Sequence, residues 1–233
     1  MRKARGDRLA APVVIVLTVG VLLAATVGQA QQGAVAETLH NLSTSGPGEI
    51  RSSTETEICK FCHIPHNPVE PEPLWGHKLS AVSSYDTPEM SAGRGTRALA
   101  PQPDGSSRLC LSCHDGTVAL GDIAGEPQPI AMAGAQRLSR GRRGFIGTDL
   151  SGSHPISFVV PDQAPDEAGR DMGIRPLSAI QTDRDIKLDG RGKMQCTTCH
   201  DPHSDANYRP GQVPHFWVKP TVDGVCLTCH ELR

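Results

Sequence analysis

Every cysteine of this chain lies in a Cys-x-x-Cys-His run, and there are four such runs. They read Cys59-Lys60-Phe61-Cys62-His63, Cys110-Leu111-Ser112-Cys113-His114, Cys196-Thr197-Thr198-Cys199-His200 and Cys226-Leu227-Thr228-Cys229-His230. The pattern is the attachment signature of c-type haem. Two thiols within one turn add to the two vinyl groups of the macrocycle, and the histidine that follows is aimed at the iron. Cys59, Cys62, Cys110, Cys113, Cys196, Cys199, Cys226 and Cys229 are thus candidate anchors for four covalently attached haem c groups, with His63, His114, His200 and His230 as proximal ligands.

Two other uses of paired cysteines compete with this reading. Cys196, Cys199, Cys226 and Cys229 have plausible spacing for a four-cysteine zinc site. An even count of 8 cysteines in an exported chain also suits a disulfide framework. Neither requires a histidine directly after each pair. With 10 histidines in 233 residues, four such coincidences have a chance on the order of 10⁻⁶.

Four macrocycles dictate what this chain folds around. Aromatic residues are 3% of the sequence, while Gly and Pro together number 43. A chain so poor in large apolar side chains builds a weak conventional core. The expectation is a mostly irregular chain with short α-helices and a few short strands, a compact tetrahaem unit in which the haems form the core. Without haem, the chain is expected to be largely unfolded.

The first thirty residues have the architecture of an export signal. Arg2, Lys3, Arg5 and Arg8 form a basic head, an apolar run extends from Leu9 to Val27, and Gly28-Gln29-Ala30 offers a small-x-small cleavage site. Residues 1–30 are read as a signal peptide and 31–233 as a single tetrahaem domain, with an uncleaved anchor as the alternative. The folded part then lies outside the cytoplasm, in the periplasm or at the cell surface, with no membrane span after cleavage. Removing those thirty residues leaves 19 basic and 24 acidic side chains, a net charge of −5. Nucleic acid is therefore not an expected partner.

An internal duplication organises the domain. CKFCHIPH (59–66) followed by LCLSCHDG (109–116) is echoed by CTTCHDPH (196–203) followed by VCLTCHEL (225–232). This makes two haem pairs, 59–114 and 196–230, separated by a Gly/Pro-rich insert over 117–195. The insert carries a basic stretch with Arg137, Arg140, Arg142 and Arg143, which reads as a solvated loop or as partners for haem carboxylates. Residues 117–124, 156–160 and 215–219 have β-prone composition, and 83–107 reads as a loop.

Six histidines remain beyond the motifs: His40, His66, His77, His154, His203 and His215. Four distal ligands from this set would make every iron bis-histidine, with low potentials. His66 and His203 occupy matching places, three residues after a proximal histidine and directly after a proline. Such a histidine is badly placed for its own motif's iron and well placed for a neighbouring one. His77, His154 and His40 are further candidates. His215 is the weakest, having no counterpart in the first repeat. Met90, Met132, Met172 and Met194 are the alternative sixth ligands.

The ordered set LHNLS (39–43), CxxCHxPHN (59–67), PLWGH (73–77), CLSCHDG (110–116) and SHPISF (153–158), with the second pair of motifs, resembles the doubled-CxxCH multihaem c-type cytochromes. It is most similar to the extracellular tetrahaem cytochromes that polymerise into conductive filaments of OmcE type. The resemblance spans residues 38–232. It implies bis-histidine haems, stacked in alternating parallel and T-shaped pairs, and one iron whose distal histidine comes from the next subunit. Of His40, His66, His77, His154 and His203, five candidates for four distal places, one is then surplus.

Function follows as electron transfer by haem-to-haem hopping, not catalysis. The expected assembly is a head-to-tail homopolymer, with upstream and downstream redox proteins or extracellular acceptors at its ends. A monomeric periplasmic electron shuttle is the alternative. A multihaem reductase is disfavoured, because it needs an iron with an open position and all four motifs end in histidine.

Overall fold

The computed structural model describes residues 35–70, 73–93, 96–162 and 173–231. The signal segment inferred for residues 1–30, and Met172, lie outside them. No helix among the described residues is long and apolar enough to cross a membrane.

Regular structure is sparse. Strand β1 (Arg51–Ser52) pairs antiparallel with β4 (Met132–Ala133), in register Arg51↔Ala133 and Ser52↔Met132. A 3₁₀ turn over Ile58–Phe61 carries the first motif. Strands β2 (Glu89–Gly93) and β3 (Thr96–Leu99) form an antiparallel hairpin with Glu89 opposite Leu99 and Met90 opposite Ala98. Helix α1 (Gly105–His114) holds the second motif, and α2 (Leu177–Ile180) is a single turn. Helix α3 (Cys196–Cys199) and helix α4 (Val222–Cys229) hold the third and fourth motifs.

Two sequence expectations change here. The region 83–107, read as a loop, contains the β2–β3 hairpin and the start of α1. Cross-strand bonding there compensates for the weak periodicity of its residues. The segments 156–160 and 215–219, expected as short strands, contribute isolated bridges instead, Val159↔Lys193 and His200↔Trp217. Each pairs one residue with a turn of the chain, which suffices to fix position without building a sheet.

Apolar packing falls into small separate clusters. Phe61, Leu120 and Met132 pack with Cys62 and Cys113 on the side of the first motif pair. Val160, Ile180, Ile186, Met194 and Val225 pack with Cys199, Cys229 and Trp217 on the side of the second. Tyr85, Leu111 and Leu150 form a third cluster. Met132 and Met194 are buried members of these clusters.

The two halves meet where α1 docks on α3, and Gln195 is the joint. It is 1% exposed, yet every polar atom of its amide is used. Its Oε1 accepts from Ser107 Oγ at 2.6 Å and Ser157 Oγ at 3.2 Å. Its Nε2 donates to Asp104 Oδ1 and Asp189 Oδ2, each at 3.0 Å. Its backbone N–H donates to Thr198 Oγ1 at 3.0 Å, capping α3. A buried polar group is tolerated when it is fully bonded, and such a network specifies one docking geometry. Gly105 makes the joint possible. Its φ is +51°, and a Cβ there would sit 2.9 Å from Gln195 Nε2.

Candidate functional site

Three of the four histidines that end the motifs, those of the first, third and fourth, are placed by a short backbone device. In the first motif the strand-like segment 73–76 returns alongside His63. Ile64 N–H donates to Leu74 O at 2.9 Å and Gly76 N–H donates to Cys62 O at 2.8 Å, with His63 bridged to Trp75. In the third motif Asp201 N–H donates to Phe216 O at 2.7 Å and Val218 N–H to Cys199 O at 3.1 Å, with His200 bridged to Trp217. Leu74 and Phe216 both sit at φ 62°, a strained value for a non-glycine residue. The duplication seen in the motifs thus extends to the segments that hold them. The fourth motif uses the same device from the N-terminal side. Glu231 N–H donates to Gly173 O, Arg175 N–H to Cys229 O at 2.7 Å, and Ile174 bridges His230.

These segments also fix the imidazoles. His63 Nδ1 donates to Pro73 O at 2.7 Å, and His200 Nδ1 to His215 O at 3.2 Å. His114 Nδ1 donates to Gly144 O at 2.6 Å. An Nδ1–H held on a carbonyl leaves Nε2 as a free lone pair, the state a metal-binding histidine requires. Carbonyls of Pro73, Gly144 and His215 carry no side-chain signal, so the sequence could not single them out. The repeated Trp75 and Trp217, each beside a proximal histidine, offered a signal that the motif reading passed over.

Three of the four proximal histidines face a second histidine. His63 and His203 have ring centroids 6.0 Å apart, His114 and His40 6.0 Å, and His230 and His154 6.3 Å. Two imidazoles bound to one metal from opposite sides, each with a metal–nitrogen distance of about 2 Å, place their ring centres roughly 6 Å apart. The partner rings are oriented in the same way as the proximal ones. His154 Nδ1 donates to Pro155 O at 2.8 Å, and His40 Nδ1 lies 3.4 Å from Pro202 O. His203 Nδ1 lies 3.5 Å from Asp201 Oδ1. Burial, with His114 adding to it, pushes His40 down to about 4, and burial also lowers His200 and His230. His40 is therefore neutral at pH 7, the form that ligation demands.

The remaining candidates stand apart. His200 has Trp217 as its ring neighbour, with centroids 5.1 Å apart, and no histidine faces it at a comparable distance among the described residues. His66 is exposed and makes no hydrogen bond, ion pair or ring contact there. His77 is 0% exposed, with Nδ1 2.8 Å from Lys78 O and Nε2 3.0 Å from Ala119 O. It faces none of the proximal histidines. His215 is fully engaged, with Nδ1 2.6 Å from Asp205 Oδ2 and Nε2 accepting from Arg143 at 3.1 Å.

No two of the eight cysteines are joined as a disulfide. Among the described residues no three His, Cys, Asp or Glu side chains converge as a metal site of their own. Burial pushes Cys62 up to about 11 and Cys199 up to about 12, and raises Cys113 and Cys229. Cys110 and Cys196 lie close enough to interact, which raises Cys110 and lowers Cys196. The second and third motifs are therefore adjacent at the α1–α3 joint.

The family model for the doubled CXXCH motif matches residues 190–232, the third and fourth motifs with the segment leading into them. No curated protein matches the chain. The doubled motif supports a multihaem c-type cytochrome, with covalently bound haem, iron binding and electron transfer as its chemistry.

Proposed function

We propose that this chain carries four haems, one per motif, and passes electrons along them as the subunit of an extracellular cytochrome filament. When bound, each haem supplies a one-electron Fe(III)/Fe(II) couple. The chain supplies the anchors, the axial ligands and the burial that set potential and spacing. Cys59 and Cys62, Cys110 and Cys113, Cys196 and Cys199, and Cys226 and Cys229 anchor the four groups. His63 with His203, His114 with His40 and His230 with His154 hold three irons. The fold so assigned is mostly irregular, with the haems completing a core that the small apolar clusters leave unfinished.

The observation that carries the filament is the pair of residues left over. Among the described residues His200 lacks a facing histidine, while His66 is exposed and unengaged. The duplication relates them. His203 of the second repeat faces His63 of the first, and the repeat counterpart of that contact is His66 facing His200. Among the described residues the chain does not make it internally. A head-to-tail contact between copies makes it, and because the contact is heterologous it propagates into a filament. The His66 loop also exposes Val69 and Leu74, apolar area suited to a subunit contact. His77, buried against two carbonyls, is the surplus histidine.

Export to the cell exterior fits this role. Electron microscopy of haem-loaded protein recovered from the culture medium tests it. Thin regular filaments with His66 of one copy at the His200 haem of the next are the expected result. Discrete particles under all conditions would instead favour the soluble periplasmic shuttle.

A further inference from the structure

Among the described residues, two buried side-chain nitrogens have no hydrogen-bond partner, Trp75 Nε1 and Arg175 Nε. A buried donor left unmade costs about 1–3 kcal/mol, more when charged, and native proteins rarely leave one. Both occupy the same kind of place. Trp75 is bridged to His63, with the two rings at 84° and centroids 6.0 Å apart. Arg175 follows Ile174, which is bridged to His230, and its own N–H is bonded to Cys229 O at 2.7 Å. Each orphan donor therefore belongs to a segment bridged to the histidine that ends one motif, the first and the fourth. Trp217, in the equivalent place beside His200, donates Nε1 to Thr221 O at 3.0 Å. An indole donor at this position is thus not left open by the fold as such.

We propose that Trp75 Nε1 and the Arg175 guanidinium donate to the carboxylate side chains of the haems anchored by the first and fourth motifs. The proposal rests on the haem reading above and adds the residues that recognise the acidic edge of the group. A haem bound by its vinyl carbons and its iron still has two carboxylates to accommodate. An arginine fork makes the strongest neutral-pH match to such a group, and an indole N–H supplies one neutral hydrogen bond. Arg142 reaches Gly134 O at 3.3 Å and Arg143 reaches His215. A cation held against a haem carboxylate offsets its negative charge and favours the reduced iron. Loss of Arg175 therefore lowers one potential.

The test is a spectroelectrochemical titration of the haem-loaded protein and its Arg175→Gln, Arg175→Lys and Trp75→Phe variants, with haem counted by mass spectrometry. Arg175→Gln is expected to shift the reduction equilibrium of one haem about tenfold toward the oxidised form, about 59 mV for one electron. Arg175→Lys is expected to recover part of that shift. Trp75→Phe is expected to shift a different haem by less and to move a carboxylate band in the reduced-minus-oxidised infrared spectrum. Titrations and infrared spectra that superimpose on wild type, with all haems attached, overturn the proposal. If Arg175→Gln fails to accumulate, the same comparison is made on Arg175→Lys, which keeps the charge but loses Nε. A mass showing no covalent haem overturns the haem reading itself.

Discussion

His200 hangs on His215, since its Nδ1 donates to the His215 carbonyl at 3.2 Å, and the His215 side chain is itself clamped. Asp205 accepts from His215 Nδ1 at 2.6 Å, Arg143 donates to Nε2 at 3.1 Å, and Tyr208 stacks on the ring with centroids 3.5 Å apart. A residue of the basic insert is thereby connected to the ligand of the third motif. Removing the clamp with His215→Ala leaves Asp205 and Arg143 without their partner. The loss expected is about 1–3 kcal/mol of stability, read by thermal denaturation. One potential is expected to move with it as His200 loses its fixed orientation.

His203 faces His63 with ring centroids 6.0 Å apart and is proposed to share its iron. Replacing an imidazole by a thioether raises a haem potential. The His203→Met variant is therefore expected to show one of its potentials raised in a redox titration. If every potential stays at its wild-type value, His203 is not a ligand.

Among the described residues His66 makes no hydrogen bond, ion pair or ring contact, so its loss is expected to leave folding intact. His66→Ala should have the thermal stability of a wild-type monomer and should form no filaments. Its reduced form should bind carbon monoxide at one haem, because the His200 iron then lacks a sixth ligand. Filaments of normal length from this variant would remove His66 from the interface.

Asp183 gives the fold a defined acid limit. Burial opposes its charge, but hydrogen bonds from Lys219, Asp185 N–H, Thr228 and Ile186 N–H outweigh that and hold its carboxyl down at about 2. A folded-state value below the unfolded one stabilises the protein above about pH 4. That contribution is lost progressively as pH falls from about 4 toward 2. Asp183→Asn should therefore melt below wild type at neutral pH and lose less stability than wild type across this window. Melting curves at a series of pH values check it.

Expressed where no haem is attached, the chain is expected to be expanded and rapidly cleaved by protease. Its apolar clusters are small and separate, and the binding energy of the metal group is then missing from folding. A haem-free chain with the protease resistance of the loaded protein would show that the clusters suffice.

Much of the candidate site was legible in the sequence, because covalent haem attachment is local chemistry. Cys59, Cys62 and His63 carry their meaning within one turn, as do the other three motifs. The duplication was legible for the same reason, since His66 and His203 repeat at fixed offsets. The hairpin at 89–99 was not, because its pairing outweighs a weak local pattern. Nor were the carbonyls of Pro73, Gly144 and His215, which any residue type would provide.

What the sequence by itself determined is therefore the set of chemical groups: eight thiols, four following histidines, six further histidines and too little apolar mass for an ordinary core. What only the tertiary structure decided is which of those groups meet. His203 reaches His63 from the other half of the chain, His40 reaches His114, His154 reaches His230, and His77 turns inward to two carbonyls. Motif chemistry depends on residues a few bonds apart, whereas these pairings depend on how the Gln195 joint docks α1 on α3 and how the insert returns. Contacts between distant segments are set by packing across the whole domain, and no local pattern encodes them.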